Sequence, residues 1–409
     1  MTIFPLPLSQ YFLPFGVYLV FLLVGFAFGY VLEISGFGNS KKLAAQFYFR
    51  DMTVLKVMFG AIITAMVLVF GATAIGLLDY RLIWVNPTYL WPGILGGLIM
   101  GVGFIIGGFC PGTSLVGAAT LKLDGIAFVL GVFFGIFLFG ETVEYFYTFW
   151  NSSYLGRFTL PELFGVETGW VVLGVVLMAL FMFFGAEQLE KIFGKKDPSK
   201  APKWRFAAAG ALIAGAVALI FVGQPTNAQR WTAISEEKQA LLDERAVQIH
   251  PGELLSLIHD NQIKVIMLDV RDEMDYNLFH ILDAEHMPIE ELPEIISDLH
   301  FEPANAVFVT MSNDEAAATE AWKMLVAESV PNVYLLEGGI NNWIAVFGDD
   351  DLTKTFNRGA GDDQLCYIFD SALGARNPAA EPDVEGAELI YTPKVKLELK
   401  RAPTSGGCG

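Results

Sequence analysis

Gly107-Gly108-Phe109-Cys110-Pro111-Gly112-Thr113-Ser114 closes a long apolar run and puts helix breakers on both sides of a thiol. Proline lacks the backbone N–H and glycine lacks a Cβ, so an apolar helix entering this stretch has to stop and turn. Non-helical backbone at membrane depth persists only where protein buries it or where it lines a wet cavity. The break therefore decides between a set of plain membrane anchors and a bundle with a path through it. The reading adopted is a polytopic α-helical membrane domain with a glycine-broken repeat, followed by a soluble α/β domain. Cys110 is soft and polarizable, which makes it the first candidate for contact with a passing anion.

Working outward, six apolar runs reach or approach the length of about 20 residues that crosses a bilayer core. They are Tyr11–Ile34, Val54–Leu78, Pro92–Phe109, Gly125–Phe139, Trp170–Ala186 and Phe206–Val222. The third and fourth are short and glycine-rich, a pattern that fits half-helices or re-entrant segments. Hydrophobic residues make up 54% of the 409, too many for an ordinary soluble protein, and the apolar runs end at Val222. From Gln224 onward the chain reads as an acidic, water-soluble globule.

The net charge of −18 argues against nucleic acid as a partner. Three cysteines (Cys110, Cys366, Cys408) are too few for a disulfide framework. The N-terminus lacks a basic n-region, so its first apolar run is expected to stay in the bilayer rather than be cleaved. Lys41, Lys42, Arg50 and Lys56 follow the first run, and Lys191, Lys195, Lys196, Lys200, Lys203 and Arg205 lie between the fifth and sixth. The loop from Glu141 to Glu167 carries Arg157 as its only basic residue. The positive-inside rule then predicts six passes through an inner (cytoplasmic) membrane with both ends outside, and a periplasmic soluble domain. One re-entrant segment would invert that topology.

The break has a counterpart. Gly36-Phe37-Gly38-Asn39-Ser40 leads through Lys41 to Arg50-Asp51 and an apolar helix, as Gly108-Phe109-Cys110-Pro111-Gly112 leads to Leu123-Asp124 and another. Paired interruptions in corresponding places are the best sequence pointer to a transporter's binding site. The plainer alternative is that these glycines let helices pack closely. By this spacing Gly38 stands where the second unit has Cys110.

From about Phe15 to Phe139 the chain resembles the YeeE/YedE-type sulfur-transport family, on its Gly-Phe-Gly-Asn and Gly-Gly-Phe-Cys-Pro-Gly-Thr-Ser motifs. The resemblance implies transport of thiosulfate or a related sulfur anion. Better-known members are longer and carry cysteines in both halves, whereas here Cys110 alone matches. A second copy of the chain or a sister membrane subunit is the expected source of the rest of such a relay. Candidate substrate-binding residues are Cys110, Pro111, Gly112, Thr113 and Ser114 with Gly36, Gly38 and Asn39. Lys122 would add positive charge on the cytoplasmic side. A dianion cannot cross hydrocarbon unpaired, and half-helix N-termini offer N–H groups and positive dipole ends.

The soluble half alternates strand and helix, which predicts a parallel sheet with helices on its faces. A helix is expected from Ser235 to about Ile249. Strands are expected at Lys264–Leu268, Ala306–Thr310 and Val333–Leu336, with a helix from Ala316 to Glu328. Asp269-Val270-Arg271, Glu273, His280-Ile281 and Ala284 to Pro288, with Glu337-Gly338-Gly339 and Trp343, look like a rhodanese domain over about Val247–Phe347. That family's nucleophile is a cysteine just after the central strand. Here the place reads Thr310-Met311-Ser312-Asn313-Asp314-Glu315, without cysteine and with two carboxylates that repel anions. Asp269 and Arg271 then read as a structural pair, and His280 and His286 as fold residues.

The division expected is 1–223 membrane domain, 224–246 linker and helix, 247–347 rhodanese-like domain and 348–409 tail. The tail is expected to pack partly on that domain, with a strand-like stretch from Val395 to Leu399. It ends Ser405-Gly406-Gly407-Cys408-Gly409, similar to the cysteine-bearing swinging arm of the SoxY sulfur carrier. A disulfide with Cys366 or an idle terminal thiol are the alternatives for Cys408. No nucleotide, haem or metal motif is present, so neither cofactor nor metal is expected. The leading reading is transport of a reduced-sulfur anion with a catalytically inactive rhodanese-like domain. The alternatives are a membrane-anchored rhodanese-like adaptor, and a sulfur carrier or sulfurtransferase using Cys408 or Cys366.

Overall fold

The structure, a computed structural model, describes residues 4–6, 8–195, 202–349, 363–369, 371–383 and 390–397. The chain divides into two compact units between Pro225 and Thr226.

The first unit is helical. Its elements are α1 (Pro14–Ile34), α2 (Ser40–Ala44), α3 (Thr53–Ala74), α4 (Leu90–Gly107), α5 (Pro111–Ala119), α6 (Leu123–Thr142), α7 (Thr168–Phe193) and α8 (Trp204–Val222). Among the described residues, six helical segments are long and apolar enough to cross a membrane: α1, α3, α4 with α5, α6 with its extension to Trp150, α7 and α8. The third helix, α4, has 18 residues, about 27 Å, and the fourth is longer than its apolar run suggests: α6 has 20 residues, about 30 Å of helix. α6 runs past the glycine at 140 to Thr142, whose Oγ1 donates back to Leu138 O (2.7 Å). The half-helices are instead the short α2 and α5, one after each glycine break.

Two apolar clusters hold this unit together. Ile63 of α3, Val172, Val176 and Ala179 of α7, and Ala216 and Leu219 of α8 form the first. Its polar end is closed by Glu190 of α7, which accepts from Met52 N (2.8 Å) and pairs with Lys56 Nζ (2.5 Å). The second cluster joins the two breaks: Phe37, Leu43, Val54 and Phe109, with Leu32, Phe104 and Phe128 against them. α5 then folds back along α6 after a tight turn in which Leu121 is left-handed (φ 57°). At their crossing a Cβ on Gly125 would lie 2.7 Å from the Gly117 carbonyl carbon, so only glycine allows the contact.

The second unit begins with α9 (Asn227–Asp243), followed by β1 (Gln248–Ile249), α10 (Pro251–Ile258) and β2 (Lys264–Asp269). Then come α11 (Glu273–Leu278), β3 (Glu285–His286), α12 (Leu292–Leu299), β4 (Ala306–Met311), α13 (Ala316–Ala327), β5 (Val333–Leu336) and α14 (Gly339–Phe347). The sheet is all-parallel in the order β1-β5-β4-β2-β3. β4 is buried along its whole length and centres a core that includes Phe308, Trp322 and Trp343.

Two sequence expectations change here. The helix after the linker starts at Asn227 rather than Ser235, because Thr226 and Gln229 form a capping box. It stops at Asp243, and Gln248 and Ile249 enter the sheet beside β5. The tail around Val395 joins no ladder. Lys394 N and Val395 N donate to Glu253 Oε1 (2.7 and 2.8 Å), so a carboxylate takes the donors a strand would offer. Glu398 and Leu399 lie outside the described residues.

Gly125→Val forces α5 off α6, an overpacking that costs about 1–3 kcal/mol. Maleimide labelling of Cys110 in membranes is expected to rise in this variant. Gly131→Val, where a Cβ meets nothing within 4 Å, is expected to label like wild type. Equal labelling of both variants would reject the packing.

Candidate functional site

Cys110 is the N-cap of α5 and closes a capping box in which sulfur replaces the usual oxygen. Thr113 N donates to Cys110 Sγ (3.4 Å), and Cys110 N donates to Thr113 Oγ1 (3.0 Å). The two side chains also meet, Sγ to Oγ1, at 3.1 Å. Pro111 takes the first helical position, where its missing N–H costs nothing. Gly112 follows it and is half-buried. Thr113 and Ser114 are buried, and Ser114 Oγ donates to Pro111 O (2.7 Å). Cys110 itself is half-buried and not in a disulfide. The break is thus a turn closed by hydrogen bonds among Cys110, Pro111, Thr113 and Ser114, with a thiol at its opening.

The first break shares the pattern with a shift of one residue. Gly36 and Gly108 both take left-handed backbone (φ 79° and 70°), and Phe37 and Phe109 both follow as fully buried rings. The cap of α2 is Asn39, whose side chain accepts from Lys41 N (3.1 Å). Cys110 therefore answers structurally to Asn39, not to Gly38 as the spacing suggested. The breaks touch: a Cβ on Gly108 would lie 3.0 Å from Ser40 O. Gly38 packs on Val116 of α5 and faces Lys122, not Cys110. The candidate residues thus separate into a thiol end at Cys110, Thr113 and Ser114 and a charged end at Gly38 and Lys122.

Sequence reading missed Glu33 at that charged end. Glu33 Oε1 lies 3.6 Å from Lys122 Nζ. An acidic residue in the last turn of an apolar span was the available signal.

In the second unit the loop after β4 is tightly built. Thr310 Oγ1 donates to Ala318 O (3.1 Å), Met311 is buried, and Ser312 Oγ accepts from Ala318 N (3.1 Å). Asn313 accepts from Arg271 Nη1 (3.2 Å) and donates to Asp275 (2.6 Å). Arg271 is buried with Asp269 in a two-point ion pair (2.6 and 2.8 Å), which accords with the structural role expected for both. His280 and His286 each bond a backbone oxygen, of Tyr276 and Arg271.

The N-terminus of α13 points its donors into this loop, and carboxylates of the chain itself receive them. Asp314 Oδ1 accepts from Glu315 N and from Ala316 N (2.7 Å). Asp363, from the tail, accepts from Asp314 N (2.9 Å) and Ala317 N (2.6 Å). Glu315 accepts from Gly338 N (2.7 Å) and pairs with Arg245 (2.6 Å). Burial pushes the Asp363 carboxyl up, with Asp314 adding to the rise. Burial also works to raise Asp314, but the N–H groups of Ala316, Asp363 and Glu315 outweigh it and hold that carboxyl low. Nothing in the sequence signals Asp363, which reaches the loop only through the fold. Cys408 lies outside the described residues. Among those described, no group of three or more His, Cys, Asp or Glu side chains is placed to hold a metal.

A family model for sulphur transport matches residues 35–239, half of the chain and all of both breaks. The chain belongs to the sulphur-transport family. A second model, for a rhodanese-like domain, matches residues 250–346 of this sulphur-transport protein, which hold β2 to β5 of its parallel sheet. No curated protein and no solved structure matches it. It is a multi-pass membrane protein of sulfur transport with a rhodanese-like domain appended.

The tail brings the second thiol of the sulphur-transport protein to the rhodanese-like loop. Cys366 N donates to Asn341 Oδ1 (2.8 Å), and Tyr367 is buried beside it. Burial first, and the negative charge of Asp314 second, push the Cys366 thiol up. Reactive cysteines need the opposite surroundings, a positive field that lowers the thiol.

Mass-spectrometric mapping of iodoacetamide alkylation is expected to show Cys366 reacting at higher pH than an ordinary thiol. Asp314→Asn should move that profile down in pH, and an unmoved profile would contradict the assigned cause. Asp363→Ala uncaps α13 and is expected to cost the rhodanese-like unit about 0.5–2 kcal/mol in chemical unfolding.

Proposed function

We propose that this protein passes a reduced-sulfur dianion, thiosulfate, through the membrane at Cys110, and that its appended rhodanese-like domain performs no sulfur transfer. The observation that carries this is the sulfur-capped start of α5, joined to the opposite break through Phe37 and Phe109. α5 has nine residues, about 14 Å of helix, so Cys110 stands about half a bilayer core above the turn that carries Lys122. A dianion halfway across has no water to stabilise it. The N-terminal end of α5 offers partial positive charge, and Cys110 and Thr113 offer an S–H and an O–H donor. The thiol exchanges its bond to Thr113 for one to the anion, and no bond to sulfur forms or breaks.

The rhodanese-like loop supports the non-catalytic reading on two grounds. It has no cysteine from residue 309 to 315. Its helix N-terminus, where an anion would bind, is occupied by Asp314 and Asp363. Cys366 stands near, but burial first and the charge of Asp314 second push its thiol up. This domain acts as a docking module for sulfur-handling partners on the periplasmic side, the side favoured by the basic loops around Lys41 and Lys191. A second copy of the chain or a sister subunit completes the cysteine path.

Uptake of sulfur-labelled thiosulfate in cells lacking their own importers tests the reading. Cys110→Ala is expected to fall to background at unchanged expression, and Cys366→Ala to behave as wild type. Wild-type uptake that survives Cys110→Ala would remove the thiol from the path. Cyanide-dependent thiosulfate cleavage is expected to be absent, and cleavage abolished by Cys366→Ala would make the domain an enzyme.

A further inference from the structure

The charged end of the break holds a carboxylate and an ammonium that satisfy each other incompletely. Glu33 lies in the last turn of α1, where the helix dipole disfavours a negative charge. Its Oε2 is buried without a hydrogen-bond partner, while Oε1 stands 3.6 Å from Lys122 Nζ. No hydrogen bond from Lys122 Nζ is seen among the described residues; its ion-pair partner is this distant carboxylate, and Asp124 adds a weaker electrostatic attraction. The neighbouring charges make their hydrogen bonds to other groups. Lys42 Nζ donates to Ser35 O (2.5 Å), and Asp124 accepts from Ser40 Oγ (2.5 Å). Gly38 closes the site. A Cβ there would lie 2.5 Å from Glu33 Oε2 and 3.0 Å from Lys122 Nζ, so glycine lets both charged groups approach the first break.

We propose that Glu33 is the resting counter-ion of Lys122, and that a divalent oxyanion arriving from Cys110 displaces it. This rests on the reading that the anion passes Cys110. Two unit charges on the anion attract the ammonium about twice as strongly as the single charge of Glu33 at equal distance. The existing pair is half-exposed and long, so little is lost when it opens. Monovalent anions gain no such advantage, and Glu33 thereby selects for charge as well as closing the exit. Glu33 acts through Lys122 and is a positioning residue.

The test compares wild type, Glu33→Gln, Glu33→Asp, Lys122→Gln and the Glu33→Gln/Lys122→Gln double variant, all full-length. Labelled thiosulfate uptake is read as half-saturation and maximal rate. Thermal stabilisation by thiosulfate, with chloride as the monovalent control, is read in detergent. Glu33→Gln is expected to lower half-saturation about threefold at unchanged maximal rate, the scale of losing one exposed competing charge. It should also increase stabilisation by chloride. Glu33→Asp should remain near wild type. Lys122→Gln should weaken binding and abolish any effect of Glu33→Gln.

An unchanged half-saturation and thermal shift in Glu33→Gln would overturn the proposal. So would a Glu33→Gln effect of equal size with and without Lys122. If wild type carries no thiosulfate yet shows the expected order of thermal shifts, the counter-ion pair stands and the conduit reading falls.

Discussion

A backbone that leaves helical geometry inside a bilayer must find partners for every N–H and C=O within the protein, because lipid offers none. The organisation of the membrane unit follows from that constraint at residues 108–113. Gly108 turns the chain in left-handed backbone, Pro111 presents no N–H, and the Cys110–Thr113 box satisfies donors at the start of α5. With the break satisfied, α5 can lie along α6 at the Gly117–Gly125 crossing, and Phe109 can join Phe37 in one cluster. A sulfur cap is a weaker acceptor than the usual oxygen, and it accepts from Thr113 N at 3.4 Å.

The rhodanese-like unit meets the same requirement with the opposite chemistry. The N-terminus of α13 is also a set of donors in search of an acceptor, but Asp314 and Asp363 fill it with full negative charge. An anion site exists there only if a carboxylate leaves. The buried Asp269–Arg271 pair fixes Asn313 and with it the loop's shape, a role in which removing one partner costs about 3–5 kcal/mol. The domain keeps the parallel-sheet scaffold of its family, with carboxylates of its own chain meeting the donors of α13.

Much of this was legible in order of residues. Long apolar runs, the paired glycine breaks and the strand–helix alternation are local patterns, and each maps onto an element of the structure. The core strands at Lys264, Ala306 and Val333 were located to within a residue because each is a short β-branched or apolar run bounded by turn residues. The start of α9 was misread because the cap at Thr226 carries the signal, while the eye follows the charged residues after Ser235. The tail near Val395 was misread because strand-like alternation does not reveal whether a neighbouring edge is open. Glu253 answers those donors instead.

The sequence by itself determined the class of the protein, the position of its break, the thiol at that break and the absence of a cysteine in the rhodanese-like loop. These are statements about composition and spacing along the chain, and they need no partner. Only the tertiary structure decided that Asn39 rather than Gly38 answers to Cys110, that Asp363 fills the loop, and that Glu33 faces Lys122. The first is an equivalence offset by a single position, and the other two are contacts made by polar groups with residues far away in the chain. Which partner such a group finds depends on how helices and loops are brought together, a fact that no local pattern encodes.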